Sequence, residues 1–231
     1  DGPRTAWRET RCVGDPRAMT HPHWPLWDIR IRTPRLELRP VREAEMADLS
    51  ELIDGGIHDP ATMPFLIPFT DAPNPQRTRD SYRFWMGCWA GWSIESWRLV
   101  LAAYSDGRCV GSQDVQATDF PTLRTVTTGS WLGLPHQGHG LGREMRAAAL
   151  QLAFEGLGAQ RAATEAFEDN VASLRVTESL GYHPNGSEVV RRRDGRATVR
   201  RYVLERDDWE PRRRDDIALD VQAVFVASKH I

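Results

Sequence analysis

Lysine is almost absent from this chain of 231 residues: Lys229 is the only one, so nearly all of the 30 basic side chains are arginines. The 32 acidic residues offset them, and the formal net charge is −2. A nucleic-acid-binding protein usually carries a clear basic excess, so this composition argues against that class of partner. The preference for arginine indicates a GC-rich coding sequence rather than a guanidinium-specific function.

Cysteines and long apolar runs are also scarce. Cys12, Cys88 and Cys109 are odd in number and lack CxxC spacing, which argues against a disulfide framework or zinc cluster and favours a reducing compartment, here the cytoplasm. No apolar run approaches the ~20 residues of a membrane span, so no membrane partner is expected. His21 and His23 have a metal-like spacing without a third ligand in the sequence, and no metal is expected.

The two ends of the chain differ from its middle. The N-terminus lacks the apolar region of a signal peptide, and we expect Met19 to be the natural start, with residues 1–18 an appended or upstream segment. Residues 19–210 are expected to form one domain. The tail, residues 211–231, is an extra strand, a dimer arm or a disordered end, so a homodimer is one of the expected assemblies.

Hydrophobic periodicity predicts an α/β (α+β) fold with a mixed central sheet and helices on both faces. A proline-rich loop separates the first two helices, and Asp-Gly turns mark two hairpins. The predicted elements are a strand (35–40), two helices (41–53, 76–92), three strands (97–105, 108–117, 125–134), a helix (140–157), a strand (160–167), a helix (169–181) and a hairpin (187–205).

Glycines cluster where the third of those three strands gives way to a helix. Gly138, Gly140 and Gly142 alternate in the segment QGHGLG. Glycine permits positive φ and close approach to a ligand, while the free N–H groups and dipole of a helix start favour an anion. A Walker loop needs Gly-Lys-Ser/Thr, and the dinucleotide motif would need a glycine at Arg143, so both are excluded. A tight turn without a ligand is the alternative.

The pattern that remains is Gln/Arg-x-x-Gly-x-Gly/Ala, filled by Gln137 to Gly142. Together with the preceding strand and the later segment EDNVASLRVTESLGY, it resembles the GNAT family of acyl-CoA-dependent N-acyltransferases over about residues 35–209. The second segment is similar to the branch that contains the ribosomal-protein alanine/serine N-acetyltransferases. In that branch an Asn, here Asn170, is followed three residues later by Ser, here Ser173, and Gly-Phe/Tyr closes the helix.

The resemblance implies an acyl-coenzyme A co-substrate, either acetyl-CoA or a larger donor such as succinyl-CoA. Backbone N–H groups of the glycine loop would bind the pyrophosphate, and the edge of the preceding strand would pair with the pantetheine arm as an added strand does. Asn170 would contact the coenzyme or serve only as a helix N-cap. The residues expected to bind the coenzyme are Trp131, Leu132, Gly133, Leu134, Gln137, Gly138, His139, Gly140, Leu141, Gly142, Arg143, Asn170 and Ser173.

Transfer from a thioester to an amine needs a held donor, a neutral amine, a partner for the oxyanion and a proton for the leaving thiolate. Many family members use a tyrosine seven residues after the Asn for the thiolate, but this chain has Thr177 there. Ser173 is the expected alternative, or else an ordinary helical serine. Asp114 and Glu165 on strands beside the cleft are the expected bases, with Asp119 in the following loop; each is otherwise a solvated carboxylate.

Aromatic side chains on the second helix follow a helical spacing at Tyr82, Trp85, Trp89 and Trp92. The spacing favours a buried stripe. A second interpretation is that Trp85 and Trp89, with Phe65 of the segment MPFLIPF, line the acceptor cleft.

The sequence therefore predicts a cytoplasmic acyltransferase that moves an acetyl or larger acyl group to an amine by direct attack in a ternary complex. The acceptor is a protein N-terminus or lysine, or a small molecule. The missing tyrosine leaves an alternative of another class, a non-catalytic domain that binds or senses acyl-CoA.

Overall fold

The described part of the chain contains nine strands and six α-helices. The computed structural model describes residues 21 and 23–220. Its strands are β1 (Ile31–Arg32), β2 (Glu37–Pro40), β3 (Trp97–Ser105), β4 (Arg108–Ala117), β5 (Thr125–Leu132), β6 (Arg161–Phe167), β7 (His183–Arg192), β8 (Gly195–Glu205) and β9 (Ala218–Leu219). Its helices are α1 (Glu43–Asp54), α2 (Gln76–Ala90), α3 (Phe120–Leu123), α4 (Leu141–Gln151), α5 (Val171–Ser179) and α6 (Arg206–Trp209).

Helices cover both faces of the sheet because successive side chains of a strand point to opposite sides. On β3, Leu99 and Leu101 pack in the core that α4 closes, around Met145. Val100 and Ala102 pack in a second core with residues of α1 and α2. The predicted mixed sheet with helices on both faces is confirmed.

The nine strands form a single sheet in the order β7-β8-β6-β5-β4-β3-β2-β1-β9. All neighbours are antiparallel except β5 and β6, which are parallel. The parallel ladder is short, with three residue pairs from Thr125–Arg161 to Thr127–Ala163. Beyond Thr127 the strands carry no further ladder, so the second half of β5 borders a gap between the two parts of the sheet.

The element boundaries follow the sequence closely, with a few differences. The hairpin of β3 and β4 turns at Asp106 and Gly107, both at positive φ, as an Asp-Gly turn requires. The helix predicted over 140–157 is α-helical only to Gln151 and continues as a π-helical turn, Leu152–Gly156. The short elements α3 and α6 have no counterpart in the sequence prediction.

The described part of the C-terminal tail joins the sheet. Ile31 of β1, a strand that the sequence did not predict, pairs with Leu219 of β9. Ile217 is buried in the main core. Of the alternatives for the tail, the extra strand is the one seen as far as residue 219, whereas residues 1–18, Met19 and 221–231 lie outside the described residues.

The helices and the acidic, histidine and cysteine side chains in the described part of the chain bear on membrane and metal partners. There, no helix is both long and apolar enough to cross a bilayer. Between residues 23 and 220, no three His, Cys, Asp or Glu side chains converge in a way that could hold a metal ion.

Candidate active site

The glycine loop between β5 and α4 has the backbone geometry that its sequence predicts. Gly138 has φ 78° and Gly140 has φ 79°, in the left-handed region where a side chain would be strained. Gly140 is also the N-cap of α4. Gly142 lies inside the helix, and a Cβ there would meet only Leu132 Cδ1 at 3.5 Å. Two of the three alternate glycines are therefore required by the backbone.

The loop presents a row of unused hydrogen-bond donors to the surface. Within residues 23–220, the backbone N–H groups from Gly138 to Arg143 have no acceptor. Residues 138–140 are exposed, and the row continues into the first turn of α4, where the helix dipole adds partial positive charge. Such an arrangement binds a phosphate or pyrophosphate without any special side chain.

Hydrogen bonds of Gln137 fix the loop at the end of β5. Its side-chain Nε2 donates to the carbonyl of Leu132 over 2.9 Å and to the carbonyl of Ile57 over 2.9 Å. The Gln137 side chain thus ties the loop both to the strand and to the segment that follows α1. This accounts for a glutamine at the first position of the motif as a structural residue.

The second half of β5 has a free backbone edge facing the gap. The N–H of Gly133 donates to the carbonyl of Val110 over 3.0 Å, which sets the alternation of the antiparallel ladder with β4. By that alternation the peptide groups of Trp131 face β4, and those of Ser130 and Leu132 face the gap. Ser130, absent from the sequence prediction, therefore belongs to the edge on which an extended ligand would pair.

Asp114 of β4 lies beside this edge. It pairs with Gly129 of β5, and a Cβ at position 129 would be 2.5 Å from Asp114 Oδ1, so only glycine leaves room for the carboxylate. The Nε of Arg98 is 3.6 Å from Asp114 Oδ2. Burial raises the pKa of Asp114 to about 6, while Arg98 and the backbone of Gly129 oppose the shift. A carboxyl with that pKa suits proton transfer near neutral pH.

The start of α5 lies on the other side of the sequence-predicted cleft. Asn170 is the N-cap of α5, and its Oδ1 accepts from the N–H of Ser173 over 3.2 Å. Asn170 thus caps the helix through Oδ1. Its side-chain NH2 has no partner in the described part of the chain and can contact a ligand as well. Ser173 is half-buried, and no hydrogen bond of its hydroxyl is present in the described part of the chain.

A buried guanidinium, which the sequence analysis did not single out, lies beneath the cleft. Arg146 is 4% exposed. It donates to Thr177 Oγ1 of α5 over 2.8 Å and to Ser130 Oγ of β5 over 3.0 Å. Its Nε is buried without a partner in the described residues. Burial lowers the pKa of this arginine, with Tyr182 and Asp114 opposing the shift.

Comparison with known proteins decides the family. Residues 35–183 match the sequence profile described as the acetyltransferase (GNAT) domain. The chain belongs to the GNAT acetyltransferase family. The GNAT domain thus spans the glycine loop, the free edge of β5 and the start of α5.

Solved structures share the fold of this GNAT domain. RimJ of Mycobacterium smegmatis in complex with CoA-disulfide is 17% identical, with a TM-score of 0.67 over 88% of this chain and 96% of that one. RimL, a ribosomal L7/L12 alpha-N-protein acetyltransferase, in complex with coenzyme A is 17% identical, with a TM-score of 0.61 over 75% and 95%. An acetyltransferase of Salmonella typhimurium that modifies the N-terminal serine of L7/L12 is 17% identical, with a TM-score of 0.61 over 75% and 96%.

The other two predicted bases, Glu165 and Asp119, are less enclosed than Asp114. Glu165 of β6 is exposed and lies 3.5 Å from the guanidinium of Arg201, its pairing partner on β8. Asp119 is exposed at the start of α3 with φ 49°. Glu165 and Asp119 stay predictions as bases, and the structure gives neither the burial that Asp114 has.

The aromatic residues predicted for the acceptor cleft are divided between core and loop. Trp85 is 4% exposed and packs in the core beneath α1 and α2. The Nε1 of Trp89 donates to the carbonyl of Val41 over 2.8 Å, and its ring stacks on Trp92 at 5.8 Å. Phe65 lies in the loop after α1, with its ring 4.9 Å from that of Phe69. The buried stripe describes Trp85 well, and a role of the three residues in acceptor binding stays a prediction.

An ion pair connects that loop to the β7–β8 hairpin of the GNAT domain. Arg193, at the hairpin turn with φ 52°, binds Asp71 with a 2.6 Å contact and donates to the carbonyl of Pro60 over 3.2 Å. The two segments are more than 100 residues apart in the chain, so no local pattern predicts that they meet. Arg193 therefore connects the loop after α1 to the β7–β8 hairpin.

Proposed function

We propose that this chain transfers an acetyl group from acetyl-CoA to the α-amine of a protein N-terminus. Larger acyl donors such as succinyl-CoA, lysine side chains and small amines are the competing substrates. The observation that carries the donor assignment is the row of unused N–H groups from Gly138 to Arg143 at the start of α4, next to the free edge of β5.

The donor fits these two features by their chemistry. Pyrophosphate is an anion that backbone N–H groups at a helix start bind well. The pantetheine arm carries amide groups, and the N–H groups of Ser130 and Leu132, with the carbonyl of Ser130, offer matching donors and an acceptor, as a sheet edge does to an added strand. The free edge of β5 and the row of N–H groups lie close together in the chain, since Gln137, where the glycine motif begins, is five residues after Leu132.

Side chains of this protein can supply the groups that the transfer itself needs. The amine nitrogen attacks the thioester carbonyl carbon, the carbon–sulfur bond breaks, and an amide and a thiolate form. Asp114 accepts the proton that the amine loses, directly or through one water, because a pKa of about 6 makes it more basic than an ordinary aspartate and still leaves it mostly ionised at neutral pH. The hydroxyl of Ser173 donates a hydrogen bond to the departing sulfur, in place of the tyrosine that this chain lacks at Thr177.

The acceptor assignment rests on the family branch and on the relatives. Two of the structures that share the fold belong to enzymes that acetylate the N-terminus of a ribosomal protein. The absence of the tyrosine does not favour a sensing domain over an enzyme, because Asp114 and Ser173 offer a base and a sulfur partner.

A donor and acceptor panel tests the proposal. Thiol release is measured with acetyl-, propionyl- and succinyl-CoA against peptides with a free N-terminal Ser or Ala, and calorimetry measures coenzyme A binding. We expect turnover with acetyl-CoA and the free peptides, and none with the same peptides acetylated at the N-terminus. Tight binding without turnover on any amine would instead indicate the sensing domain.

A matched pair of glycine variants tests the loop. Gly140→Asp places a side chain and a negative charge at a position with φ 79°, and we expect coenzyme A binding to be lost. Gly186→Asp makes the same change at a glycine with φ 89° on β7, where an added Cβ meets nothing within 4 Å, and we expect binding to be kept. Unchanged binding by the Gly140 variant would remove the loop from the site.

A further inference from the structure

Arg35, two residues before β2, reaches the glycine loop and the first turn of α4. Its Nε donates to Glu144 Oε2 over 2.8 Å, its Nη2 lies 2.6 Å from the same oxygen, and its backbone N–H donates to Glu144 Oε1 over 3.0 Å. Its Nη1 donates to the carbonyl of His139 over 2.8 Å. One arginine thus binds both the loop before Gly140 and the helix after it.

The hydrogen bond to His139 controls the direction of a loop N–H group. In a planar trans peptide the carbonyl and the following N–H point in opposite directions. Because Arg35 holds the carbonyl of His139 on its own side, the N–H of Gly140 points away from Arg35. That N–H belongs to the row of unused donors, so the side chain of Arg35 sets the orientation of a donor that it does not touch.

Charge gives Arg35 a second effect. Glu144 is 4% exposed in the first turn of α4, where a carboxylate would repel an anion bound at the helix start. Burial acts to raise the pKa of Glu144, but hydrogen bonds from Thr33 and Arg35 hold it below its usual value, so the carboxylate is ionised. Arg35 neutralises it, and about half of the arginine side chain stays exposed beside the loop (47%).

We propose that Arg35 is a positioning residue for the coenzyme pyrophosphate, acting through Glu144 and the carbonyl of His139. It orders the donor row before the ligand arrives and removes the repulsion of a buried carboxylate. This inference rests on the proposed function, since it requires that the loop binds the pyrophosphate of an acyl-CoA.

Two donors that differ only in the part bound by the loop provide the test. Acetyl-pantetheine carries the thioester and the arm of acetyl-CoA but lacks the pyrophosphate and nucleotide. We expect Arg35→Ala to raise KM for acetyl-CoA about 10- to 100-fold, with kcat within about twofold, because charged hydrogen bonds that order the loop are lost. The kcat/KM for acetyl-pantetheine should be unchanged.

Control variants separate positioning from folding. Arg32→Ala removes an exposed arginine whose Nε is 3.1 Å from Glu37, close by in the chain, and should leave both donors unaffected. Arg35→Ala combined with Glu144→Gln should recover part of the acetyl-CoA affinity, since the unneutralised charge is gone. Thermal unfolding of each variant shows whether it is folded at the assay temperature.

The outcomes distinguish this inference from the proposed function. If the wild-type enzyme shows no preference for acetyl-CoA over acetyl-pantetheine, the loop does not bind pyrophosphate and the proposed function of the loop fails. If the wild-type enzyme prefers acetyl-CoA and Arg35→Ala keeps that preference, the positioning role is overturned. Equal losses with both donors would also overturn it, because they indicate a general effect on the fold.

Discussion

Arg146 and Thr177 join α4 to α5 beneath the cleft through a hydrogen bond of 2.8 Å from the guanidinium to Oγ1. Thr177 in turn donates to the carbonyl of Ser173, 2.9 Å away. The same guanidinium binds Ser130 on β5. A buried cation therefore sets the separation of the two segments that border the gap, β5 and α5.

Thr177→Val removes one of the two hydroxyls that solvate this buried charge. We expect a loss of about 1–3 kcal/mol in the free energy of unfolding, since the side chain keeps its shape while a buried charged donor loses its acceptor. Urea denaturation measures it. Thr122→Val, at an exposed threonine of α3, is the matched control and should change stability by less than about 0.5 kcal/mol. Equal effects of both variants would contradict the buried-charge explanation.

Asp114→Asn should remove one limb of the pH dependence of the reaction. With Asp114 as base and a pKa of about 6 in the protein without peptide, the pH profile of log kcat/KM for the peptide should contain a limb of unit slope below about pH 6. The Asn variant should lack this limb and lose most of kcat while binding coenzyme A normally. The ionisation of the free peptide amine, near pH 8, affects both enzymes equally. A variant with the same limb would exclude Asp114 as the base.

The same carboxyl should also shape the pH dependence of stability. Its folded-state pKa of about 6 exceeds the ordinary value of 3.8, so the folded state binds the proton more tightly than the unfolded chain. This contribution to stability is complete below about pH 4 and is lost as the pH rises through about 6. The free energy of unfolding of Asp114→Asn, relative to wild type, should therefore increase between pH 4.5 and 7. A difference that is constant with pH would contradict the shift.

Gly129→Ala should damage catalysis more than folding. The added Cβ would lie 2.5 Å from Asp114 Oδ1, and the carboxylate must move away because it is the flexible partner. We expect kcat to fall at least about tenfold with an unchanged Kd for coenzyme A, since small displacements of a catalytic group are costly. Gly87→Ala on α2 is the control: nothing lies within 4 Å of its Cβ, and alanine should stabilise the helix slightly. Normal kcat in the Gly129 variant would separate Asp114 from the reaction.

Cys88 and Cys109 should react slowly with thiol reagents in the folded protein. Burial raises the pKa of Cys88 to about 11 and that of Cys109 to about 12, so the reactive thiolate is scarce at neutral pH. Peptide mapping after brief alkylation at pH 7.5 should find both unmodified, and both modified after unfolding in urea. Rapid labelling of either in the folded state would show that it is accessible.

Features that depend on a few neighbouring residues could be predicted from the sequence. The positive φ of Gly138 and Gly140 and the N-cap at Asn170 follow from local chemistry, so the loop and the start of α5 were found in the chain itself. Whether these residues bind coenzyme A stays a prediction. The pairing of β1 with β9 was not predicted, because two-residue strands carry no periodicity.

The residues that support the site could not be predicted, because each depends on contacts distant in the chain. Arg35 and Glu144 are 109 positions apart, and many arginines of this chain would fit such a partner equally well. The burial of Arg146 depends on how α5 packs against α4. The orientation of Ser130 and Leu132 depends on the register with β4, which the hydrogen bond from Gly133 to Val110 sets.

The β5–β6 ladder of three residue pairs joins two unequal parts of the sheet over a short length. An extended ligand lying along Ser130 and Leu132 would continue the backbone pairing of β5 beyond this ladder, so the bound substrate would act as a removable strand of the sheet. Hydrogen bonds of the same backbone groups would then contribute both to ligand binding and to the stability of the sheet. Amide hydrogen exchange at Ser130 and Leu132 should slow when donor binds, and the melting temperature should rise with donor concentration.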